Sequence, residues 1–316
     1  MEVIADKHQL ARSAVPSAVA IGIFDGVHLG HQALLLQMLA TARELDLRSL
    51  VYTFNPHPAQ VLRGAYAPRL MEPISRRLQR LAALGVDAVW VEPFDRAFAA
   101  TTADAYVRQT LVEMLQARHI YVGTGFTFGT RQSGNVAFMH ELSPALNFAV
   151  HPVELLTLGS VQISSTLIRA CLRSGDVMGA GTYLGHPCLL EGTVVHGARR
   201  GSKMGFGTAN LQPENELMPA TGVYAGRAHT PRGSFVCVIN IGIAPTFADS
   251  AEVRIEAHLL DYDGAELYGA NIELELHTRL RAEQKFASVA ALLAQIQADV
   301  VSTQKFFAAS RLEIDP

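Results

Sequence analysis

The stretch Ala20-Ile-Gly-Ile-Phe-Asp-Gly-Val-His-Leu-Gly-His31 decides how the first half of this chain folds. A short apolar run ends there in an Asp-Gly turn, and residues 32–50 then carry apolar side chains at helical spacing. This pattern predicts a strand, a tight loop and a helix, with His28 and His31 where the helix begins. Free backbone N–H groups and the positive end of the helix dipole favour an anion at that point.

The two histidines of this stretch suit a phosphate. Imidazoles can donate hydrogen bonds to phosphate oxygens and, when protonated, offset the charge that grows on a pentavalent phosphorus. The alternative interpretation is a pair of surface histidines around a turn, with or without a metal ion. The preceding strand and the surrounding glycines favour the phosphate interpretation and leave the alternative open.

Composition narrows the class of protein. A length of 316 residues predicts two domains, and 49% hydrophobic and 17% charged residues are typical of a globular protein. The net charge of −3 argues against nucleic acid as a partner. Three separated cysteines without a C-x-x-C spacing favour a reducing compartment over a disulfide framework or a zinc site. With no leader-like N-terminus and no long apolar run, we expect a cytoplasmic protein without a membrane partner.

The order of predicted elements indicates an α/β domain followed by a β domain. Residues 1–184 alternate strands with helices, among them a helix capped by Ser75 and another over 102–117. This alternation predicts a Rossmann-like parallel sheet covered by helices, with ligands outside the carboxyl ends of its strands. Residues 185–316 show short period-two runs between turns and then an amphipathic pattern over 289–304, which predicts a small antiparallel β-barrel with a terminal helix.

Three further motifs follow predicted strands of the first domain. In Asn55-Pro-His57-Pro, two prolines restrict the backbone around one histidine, although a lone histidine there is more often structural. The run 123–129, Gly-Thr-Gly-Phe-Thr-Phe-Gly, permits a close backbone approach to a ligand but is not a dinucleotide fingerprint. In Ile163-Ser-Ser-Thr-Leu-Ile-Arg169, hydroxyls at a helix start and an arginine one turn later suit a triphosphate, and an ordinary capped helix is the alternative.

The second domain carries a glycine-rich run over 195–211 with basic residues between the glycines. Glycines let backbone N–H groups approach a phosphate, and Thr208 and Asn210 offer oxygen ligands suited to Mg²⁺. A flexible hairpin loop with basic residues is the alternative. Farther on, Glu256 lies on a predicted strand, where a carboxylate beside a primary alcohol can act as a general base.

Together these motifs resemble a known family. The Phe-Asp-Gly-Val-His-Leu-Gly-His stretch resembles the HxGH signature of nucleotidylyltransferases, in the form found in prokaryotic bifunctional riboflavin kinase/FAD synthetases. Residues 163–169 match the ISSTxIR element of that superfamily, and the run 195–211 resembles the riboflavin kinase loop. The resemblance implies an FMN adenylyltransferase domain over 1–184 and a riboflavin kinase domain over 185–316. The implied reactions are phosphorylation of riboflavin by ATP and adenylylation of FMN to FAD with release of pyrophosphate.

The resemblance also assigns residues. Catalytic roles fall on His28, His31, Arg169 and Glu256. The implied ATP contacts of the adenylyltransferase are Phe24, Gly26, His28, His31, His57, Ser164, Ser165, Thr166 and Arg169, and its flavin or nucleotide loop comprises Asn55, Phe126, Phe128 and Gly129. In the kinase, the residues implied to bind ATP are Gly197, Gly201, Lys203, Gly205 and Thr208. Thr208 and Asn210 are implied to bind Mg²⁺, and Arg281 and Phe286 are implied to bind the flavin. Riboflavin, FMN and ATP are the expected partners, and a homo-oligomer is an open alternative.

Three residues depart from the family pattern, namely Ile23, Gly125 and Gly207. Gly207 stands where the family has proline, which costs roughly 0.5–1 kcal/mol of preorganisation before Thr208. One alternative is therefore a paralogue that keeps a single activity or uses an altered flavin or nucleotide. A non-catalytic flavin- or nucleotide-binding regulator is a further alternative, although binding alone would not need Glu256.

Overall fold

A computed structural model describes residues 1–4, 15–196, 208–244, 252–263 and 266–312. The chain forms two compact units. The first comprises Met1–Arg69 and Ile74–Ser165, and the second comprises Leu70–Pro73 and Thr166–Pro316. No helix in the described ranges combines the length and the apolar character needed to cross a membrane.

A six-stranded parallel sheet forms the centre of the first unit, as the sequence predicts. Its strands are β1 (Glu2–Ile4), β2 (Ser17–Ile21), β3 (Arg48–Phe54), β4 (Ala88–Glu92), β5 (Ala117–Gly123) and β8 (Ala149–Val153). Their order across the sheet is β1-β4-β3-β2-β5-β8. Two short antiparallel pairs accompany the sheet, β6 (Thr127–Phe128) with β7 (Gly134–Asn135) and β9 (Thr157–Leu158) with β10 (Val161–Gln162).

The strand order reverses at β2. From β2 the chain adds β3 and then β4 on one side, and it returns to place β5 on the other side of β2. In open parallel sheets, ligands bind outside the carboxyl ends of the strands at such a reversal. The turn that follows β2, which contains His28, therefore lies at the expected binding position of this fold.

The helices of the first unit follow the predicted alternation with corrected bounds. They are α1 (Leu29–Glu44), α2 (Pro58–Arg63), α3 (Ile74–Ala83), α4 (Arg96–Ala99), α5 (Ala103–Ala105) and α6 (Val136–Leu146). The predicted cap at Ser75 is wrong, because α3 begins at Ile74 and Ser75 lies within its first turn. The predicted helix over 102–117 is capped by Thr102, continues from α5 as a π-helix over Tyr106–Met114, and ends before β5.

Apolar side chains cover both faces of the parallel sheet. Along β2, Val19 and Ile21 join one core with Tyr106 and Met139, while Ala18 and Ala20 join another with the helix α1. All five residues of β2 are buried. A central parallel strand buried on both sides needs a continuous apolar run, which is why this run precedes the His28 turn in the sequence.

The second unit contains the predicted barrel, closed in the order β11-β12-β15-β14-β13-β16. The strands are β11 (Cys188–Val195), β12 (Ala209–Pro213), β13 (Gly222–Thr230), β14 (Gly233–Ala244), β15 (Glu252–Leu259) and β16 (Asn271–Arg281). The helices are α7 (Ser165–Ser174), α8 (Val177–Leu184) and the terminal α9 (Val289–Leu312). Strand β12 is absent from the sequence prediction, which treats its residues as part of the glycine-rich loop.

Candidate active sites

The turn after β2 has an unusual backbone. Phe24 and Val27 both have positive φ, 54° and 38°, in the left-handed region that non-glycine residues rarely occupy. The backbone N–H of Val27 donates to the Phe24 carbonyl at 3.1 Å, and the Gln32 side chain donates to the Val27 carbonyl at 2.9 Å. Strain of this kind persists where surrounding contacts hold it, and it is concentrated at functional sites.

His28 and His31 form a compact pair at the start of α1. His28 is the N-cap residue, and its Nδ1 accepts the backbone N–H of His31 at 3.2 Å. The two rings lie nearly parallel with centroids 3.6 Å apart, and the Phe24 ring meets His31 edge-on at 5.2 Å. Because Nδ1 of His28 is an acceptor, the proton of its neutral ring is on Nε2. The pair is thereby oriented before any ligand binds.

Gly30 makes room for this arrangement. A Cβ at Gly30 would lie 3.2 Å from the His28 ring and 3.8 Å from the Ile163 carbonyl oxygen. The HxGH turn and the start of the ISSTLIR motif are therefore adjacent in the first unit. The helix α7 begins at Ser165, two residues after Ile163. Within it, Thr166 is exposed and Arg169, one turn later, is buried. Both residues belong to the second compact unit.

A buried arginine supports the strand end before the turn, and the sequence analysis missed it. Arg77 on α3 is 2% exposed and donates to the Ile23 carbonyl at 2.8 Å. The Thr53 hydroxyl donates to the same carbonyl at 3.2 Å. Both hydrogen bonds end on the backbone carbonyl of Ile23. The side chain of Ile23, which departs from the family pattern, therefore takes no part in them. An arginine within an amphipathic helix gives no sequence signal for such a contact.

His57 has a local structural role in addition to any ligand contact. It caps α2 with Nδ1 accepting the Ala59 N–H at 2.9 Å, while the Gln60 side chain accepts the His57 N–H at 3.1 Å. This capping box fixes the ring direction, as the flanking prolines predict. Asn55 is exposed at the end of β3, and the Asn55–Pro56 peptide bond is cis.

The run 123–129 forms an aromatic wall beside the sheet. Phe126 and Phe128 have centroids 5.6 Å apart, and Phe128 packs on Tyr106 at 5.1 Å. Gly129 has φ 72°, and a Cβ there would come within 2.8 Å of the Ala103 backbone, so only glycine fits. Gly125, in contrast, has no atom of the described residues within 4 Å of its Cβ position, so the departure there leaves open space among them.

Polar groups lie beneath this aromatic wall, and the sequence analysis missed them also. Tyr52 and Trp90 both donate to the Glu92 carboxylate, at 2.7 and 2.9 Å. The Tyr106 hydroxyl is buried without a hydrogen-bond partner among the described residues. Burial, together with the Glu92 charge, raises the pKa of both Tyr52 and Tyr106, so the phenols are neutral donors.

In the barrel, the predicted metal ligand and the predicted base are neighbours. Asn210 on β12 lies directly opposite Glu256 on β15, and Glu256 lies directly opposite Asn240 on β14. The three side chains are half-buried on one face, while the flanking Ile255 and Ile239 are fully buried. Directly opposed residues have Cβ atoms about 5 Å apart. Asn210, Glu256 and Asn240 therefore form a polar row across three neighbouring strands.

The structure describes only part of the glycine-rich loop. Thr208 is half-buried immediately before β12. The predicted contacts Gly197, Gly201, Lys203 and Gly205, together with the departure Gly207, lie outside the described residues.

Arg281 contacts protein groups at the end of β16. Its Nε lies 3.0 Å from Asp299 Oδ1, and its Nη2 lies 2.8 Å from Asp299 Oδ2. Its Cζ lies over the Phe286 ring, 5.8 Å from the ring centroid. The two residues predicted to bind the flavin in the kinase are therefore in contact with each other.

The donors available for Mg²⁺ are oxygen atoms. Within the described ranges, no group of three or more His, Cys, Asp or Glu is arranged to hold a metal ion. Mg²⁺ in phosphoryl-transfer sites takes only one or two protein ligands and completes its shell with phosphates and water. The Thr208 hydroxyl just before β12 and the Asn210 carboxamide oxygen on β12 fit such a partial set.

Comparisons with known proteins cover the same two parts of the chain. The FAD synthetase family model matches residues 11–167, and the riboflavin kinase model matches residues 184–307. The bifunctional riboflavin kinase/FMN adenylyltransferase of Haemophilus influenzae is 35% identical over 308 residues, covering 97% of this chain and 99% of that protein. The protein of the same description from Escherichia coli strain K12 is 36% identical over 312 residues, covering 97% and 98%.

A solved structure matches at the level of the whole fold. The crystal structure described as a macrolide-efflux protein from Streptococcus pneumoniae has a TM-score of 0.84 and 30% identity, covering 96% of this chain and 98% of that one. The curated relatives match over nearly their full length at more than 30% identity, and the two family models fall in order along the chain. This chain therefore belongs to the bifunctional riboflavin kinase/FMN adenylyltransferase family.

Proposed function

We propose that the protein makes FMN from riboflavin and ATP in one domain and FAD from FMN and ATP in the other. One observation carries the proposal: each compact unit presents its own set of groups for phosphorus chemistry. The first has the oriented His28–His31 pair at the strand-order reversal, and the second has Asn210 opposite Glu256. We assign the adenylyltransferase to residues 1–184 and the kinase to residues 185–316.

In the adenylyltransferase, the protein's contribution is to position and stabilise. The N-terminus of α1 and the imidazoles of His28 and His31 provide hydrogen-bond donors for phosphate oxygens. Donors that are already oriented cost no reorganisation as charge develops on the α-phosphorus. Ser164, Ser165, Thr166 and Arg169 are proposed for the triphosphate on the basis of the ISSTLIR motif, and His57, Phe24 and Gly26 for the nucleotide.

The flavin of the adenylyltransferase is assigned to the aromatic wall of Phe126 and Phe128 with Asn55 and Gly129. Aromatic side chains give a ring-shaped ligand a large apolar contact area, and offset or edge-on packing adds to it. The neutral phenol of Tyr106 is a donor beneath Phe128. Gly125 provides no side chain for a flavin or nucleotide contact at this position of the loop.

In the kinase, Glu256 is the proposed general base that takes the proton of the riboflavin hydroxyl as it attacks the γ-phosphorus. Thr208 and Asn210 would hold Mg²⁺, which neutralises charge on the transferred phosphoryl group when bound. The position of Asn210 directly opposite Glu256 supports assigning the ligand and the base to one site. Gly197, Gly201, Lys203 and Gly205 are proposed for the ATP phosphates, and Arg281 and Phe286 for the flavin.

The test is a chromatographic time course with purified full-length protein. One reaction starts from riboflavin, ATP and Mg²⁺, and a second starts from FMN, ATP and Mg²⁺. FMN followed by FAD in the first reaction supports both activities. FAD from the second reaction alone would restrict the function to adenylyl transfer, and Gly207→Pro would then be the variant to examine for restored kinase activity. No turnover in either reaction would refute both activities.

A further inference from the structure

The terminal helix α9 carries a buried carboxylate with no role in the assignments above. Asp299 is 4% exposed, although it is an aspartate in the middle of a 24-residue helix. It accepts three hydrogen bonds from the Arg281 guanidinium, at 2.8, 3.0 and 3.2 Å, and one from the Gln295 side chain at 3.0 Å. A carboxylate buried to this degree must be paired, and the two-nitrogen fork of arginine provides the matching partner.

The pairing continues from Arg281 to Phe286. The Arg281 Nη1 donates to the Ala282 carbonyl at 3.1 Å, and the guanidinium faces the Phe286 ring. Phe286 itself is half-buried, so part of the ring remains accessible. The helix is therefore connected to an accessible aromatic ring through a single guanidinium group.

A second contact holds the same segment over the barrel. A Cβ at Gly242 would lie 2.5 Å from a Glu283 carboxylate oxygen, so Glu283 sits against this strand where no side chain intervenes. Gly242 is two residues after Asn240 on β14, and Asn240 lies directly opposite Glu256 on β15. The segment 281–286 is thus placed next to the strand that carries the polar row of the proposed kinase site.

The helix α9 has other attachments that do not depend on Asp299. Val300 packs with Val223, Val238 and Leu260 in an apolar cluster against the barrel. Loss of the Asp299 charge leaves this cluster intact, whereas it leaves the Arg281 guanidinium without its two-point anchor. The aspartate therefore controls the direction of Arg281 more than the attachment of the helix.

We infer that Asp299 is a positioning residue for the flavin subsite of the kinase, acting through Arg281 to hold the Phe286 ring against the isoalloxazine of riboflavin. The inference rests on the proposed function, in which Arg281 and Phe286 contact the flavin. It predicts an effect on flavin affinity and none on the phosphoryl-transfer step, because Asp299 touches neither ATP nor the Glu256 carboxylate in the proposal.

The experiment measures riboflavin KM and kcat for FMN formation in the full-length protein. Asp299→Asn is expected to raise riboflavin KM by roughly 5- to 10-fold, the value of one aromatic contact, with kcat and the KM for ATP unchanged. Asp299→Glu keeps the charge and is expected to restore most of the affinity. Asp104→Asn is the matched control, since Asp104 receives both bonds of Arg108 at 2.9 Å on an exposed surface of the first unit.

A double-mutant comparison separates positioning from a general loss of packing. Phe286→Ala is expected to raise riboflavin KM, and Asp299→Asn in the Phe286→Ala background is expected to add less than 2-fold, because both act on one contact. An unchanged KM in Asp299→Asn, a loss confined to kcat, or full additivity with Phe286→Ala would overturn the inference. If Asp299→Asn does not fold, Gln295→Ala is the milder variant, because it removes only the bond from Gln295 to Asp299, and it is expected to raise riboflavin KM by a smaller factor, with an unchanged KM overturning the inference.

Failure of the proposed function gives a different result. If the wild-type protein does not phosphorylate riboflavin, or if Phe286→Ala leaves riboflavin KM unchanged, the assignment of the flavin subsite is wrong. If Phe286→Ala raises KM and Asp299→Asn does not, the subsite stands and the role of Asp299 is wrong.

Discussion

Asn210 and Glu256 are directly opposed on neighbouring antiparallel strands of the barrel. Leu211 and Ile255, the neighbours of these two residues, are also directly opposed and are buried, so Asn210 and Glu256 lie together on the other face. A shift by a single residue would turn one of them into the barrel core. The closed order of the six strands, which leaves no free edge to slip, thus keeps the proposed metal ligand beside the proposed base.

Replacement of Glu256 should separate the two activities. Glu256→Gln keeps the size of the side chain and removes its basicity, so we expect FMN formation to fall by at least ~100-fold. FAD formation from supplied FMN should continue at the wild-type rate. Both rates are measured by chromatography in parallel reactions, and Glu273→Gln, a neutralised carboxylate elsewhere on the barrel, is the control.

The reciprocal variant completes this test. His31→Ala removes one imidazole of the pair and should abolish FAD formation while FMN formation continues. Loss of both activities in either folded variant would contradict the division of labour between the domains.

Gly30→Ala tests the packing of the histidine pair without removing either ring. The added methyl group would lie 3.2 Å from the His28 imidazole, a distance at which the ring must move by a few tenths of an ångström. Small displacements of oriented catalytic groups are costly, and we expect FAD formation to slow by roughly 10- to 100-fold. Alanine also favours the helix, so the thermal stability should not fall in proportion.

The control for Gly30→Ala is Ala40→Ser, which adds one heavy atom at an exposed position of the same helix. Kinase activity should be unchanged in both variants. An adenylyltransferase rate for Gly30→Ala within twofold of the wild type would show that the His28 ring position is not critical.

Strands and helices could be predicted where the spacing of apolar residues distinguishes one from the other. The run from Val19 to Ile21 predicts a central strand because only a fully buried strand needs consecutive apolar residues. Strand β12 was missed because polar residues such as Asn210 and Gln212 weaken its alternation and glycines precede it. The π-helix over Tyr106–Met114 was missed because the same apolar residues are compatible with α-helical spacing.

The residues of the candidate sites could be predicted only where they lie in one short motif of the sequence. His28 and His31 are only three residues apart, so their common location follows from the motif. The capping bond of His28 is local and spans three residues, whereas the bond from Arg77 to the Ile23 carbonyl spans 54. No local pattern indicates the second contact. The same applies to Asp299, whose partner Arg281 is 18 residues away and identifiable only once α9 is placed on the barrel.

Acidification should weaken the edge of the parallel sheet through His151. The Nε2 of His151 on β8 lies 3.0 Å from His119 Nδ1 on β5, with the Tyr121 ring stacked at 4.5 Å and His140 contributing charge. Burial first, and then the charges of His119 and His140, lower the pKa of His151 below its usual 6.5. The folded state therefore binds a proton less readily than the unfolded state, and stability is lost as the pH falls below about 6.5.

The measurement for His151 is hydrogen exchange of the β8 amides between pH 7.5 and 5.5, corrected for the intrinsic pH dependence of exchange. Protection should decrease as the pH falls, and the decrease should be absent in His151→Gln, which cannot be protonated. Equal pH dependence in both proteins would exclude this histidine as the cause.

Glu275 should stabilise the barrel at neutral pH and lose that effect in acid. Its two carboxylate oxygens each lie 3.1 Å from a histidine Nε2, one of His277 and one of His229, and Arg227 is directly opposite on β13. The hydrogen bond from His277, with a further one from His229, lowers the pKa of Glu275 to about 2 against the opposing effect of burial. A carboxylate with a lowered folded pKa adds stability above its unfolded pKa, and this is lost as the pH falls towards 2.

Glu275→Gln should accordingly lower the melting temperature at pH 7 by roughly 2–4 °C, which corresponds to about 1 kcal/mol of unfolding free energy for a partly exposed pair. The difference from wild type should shrink as the pH falls from 4.5 to 2, because the unfolded carboxylate is protonated first and the native carboxylate begins to be protonated as the pH approaches 2. Thermal melts followed by circular dichroism across this range measure it, with Asp104→Asn as the exposed-pair control. A difference that persists undiminished at pH 2 would show that the glutamine alters packing, because a charge effect must vanish once Glu275 is neutral.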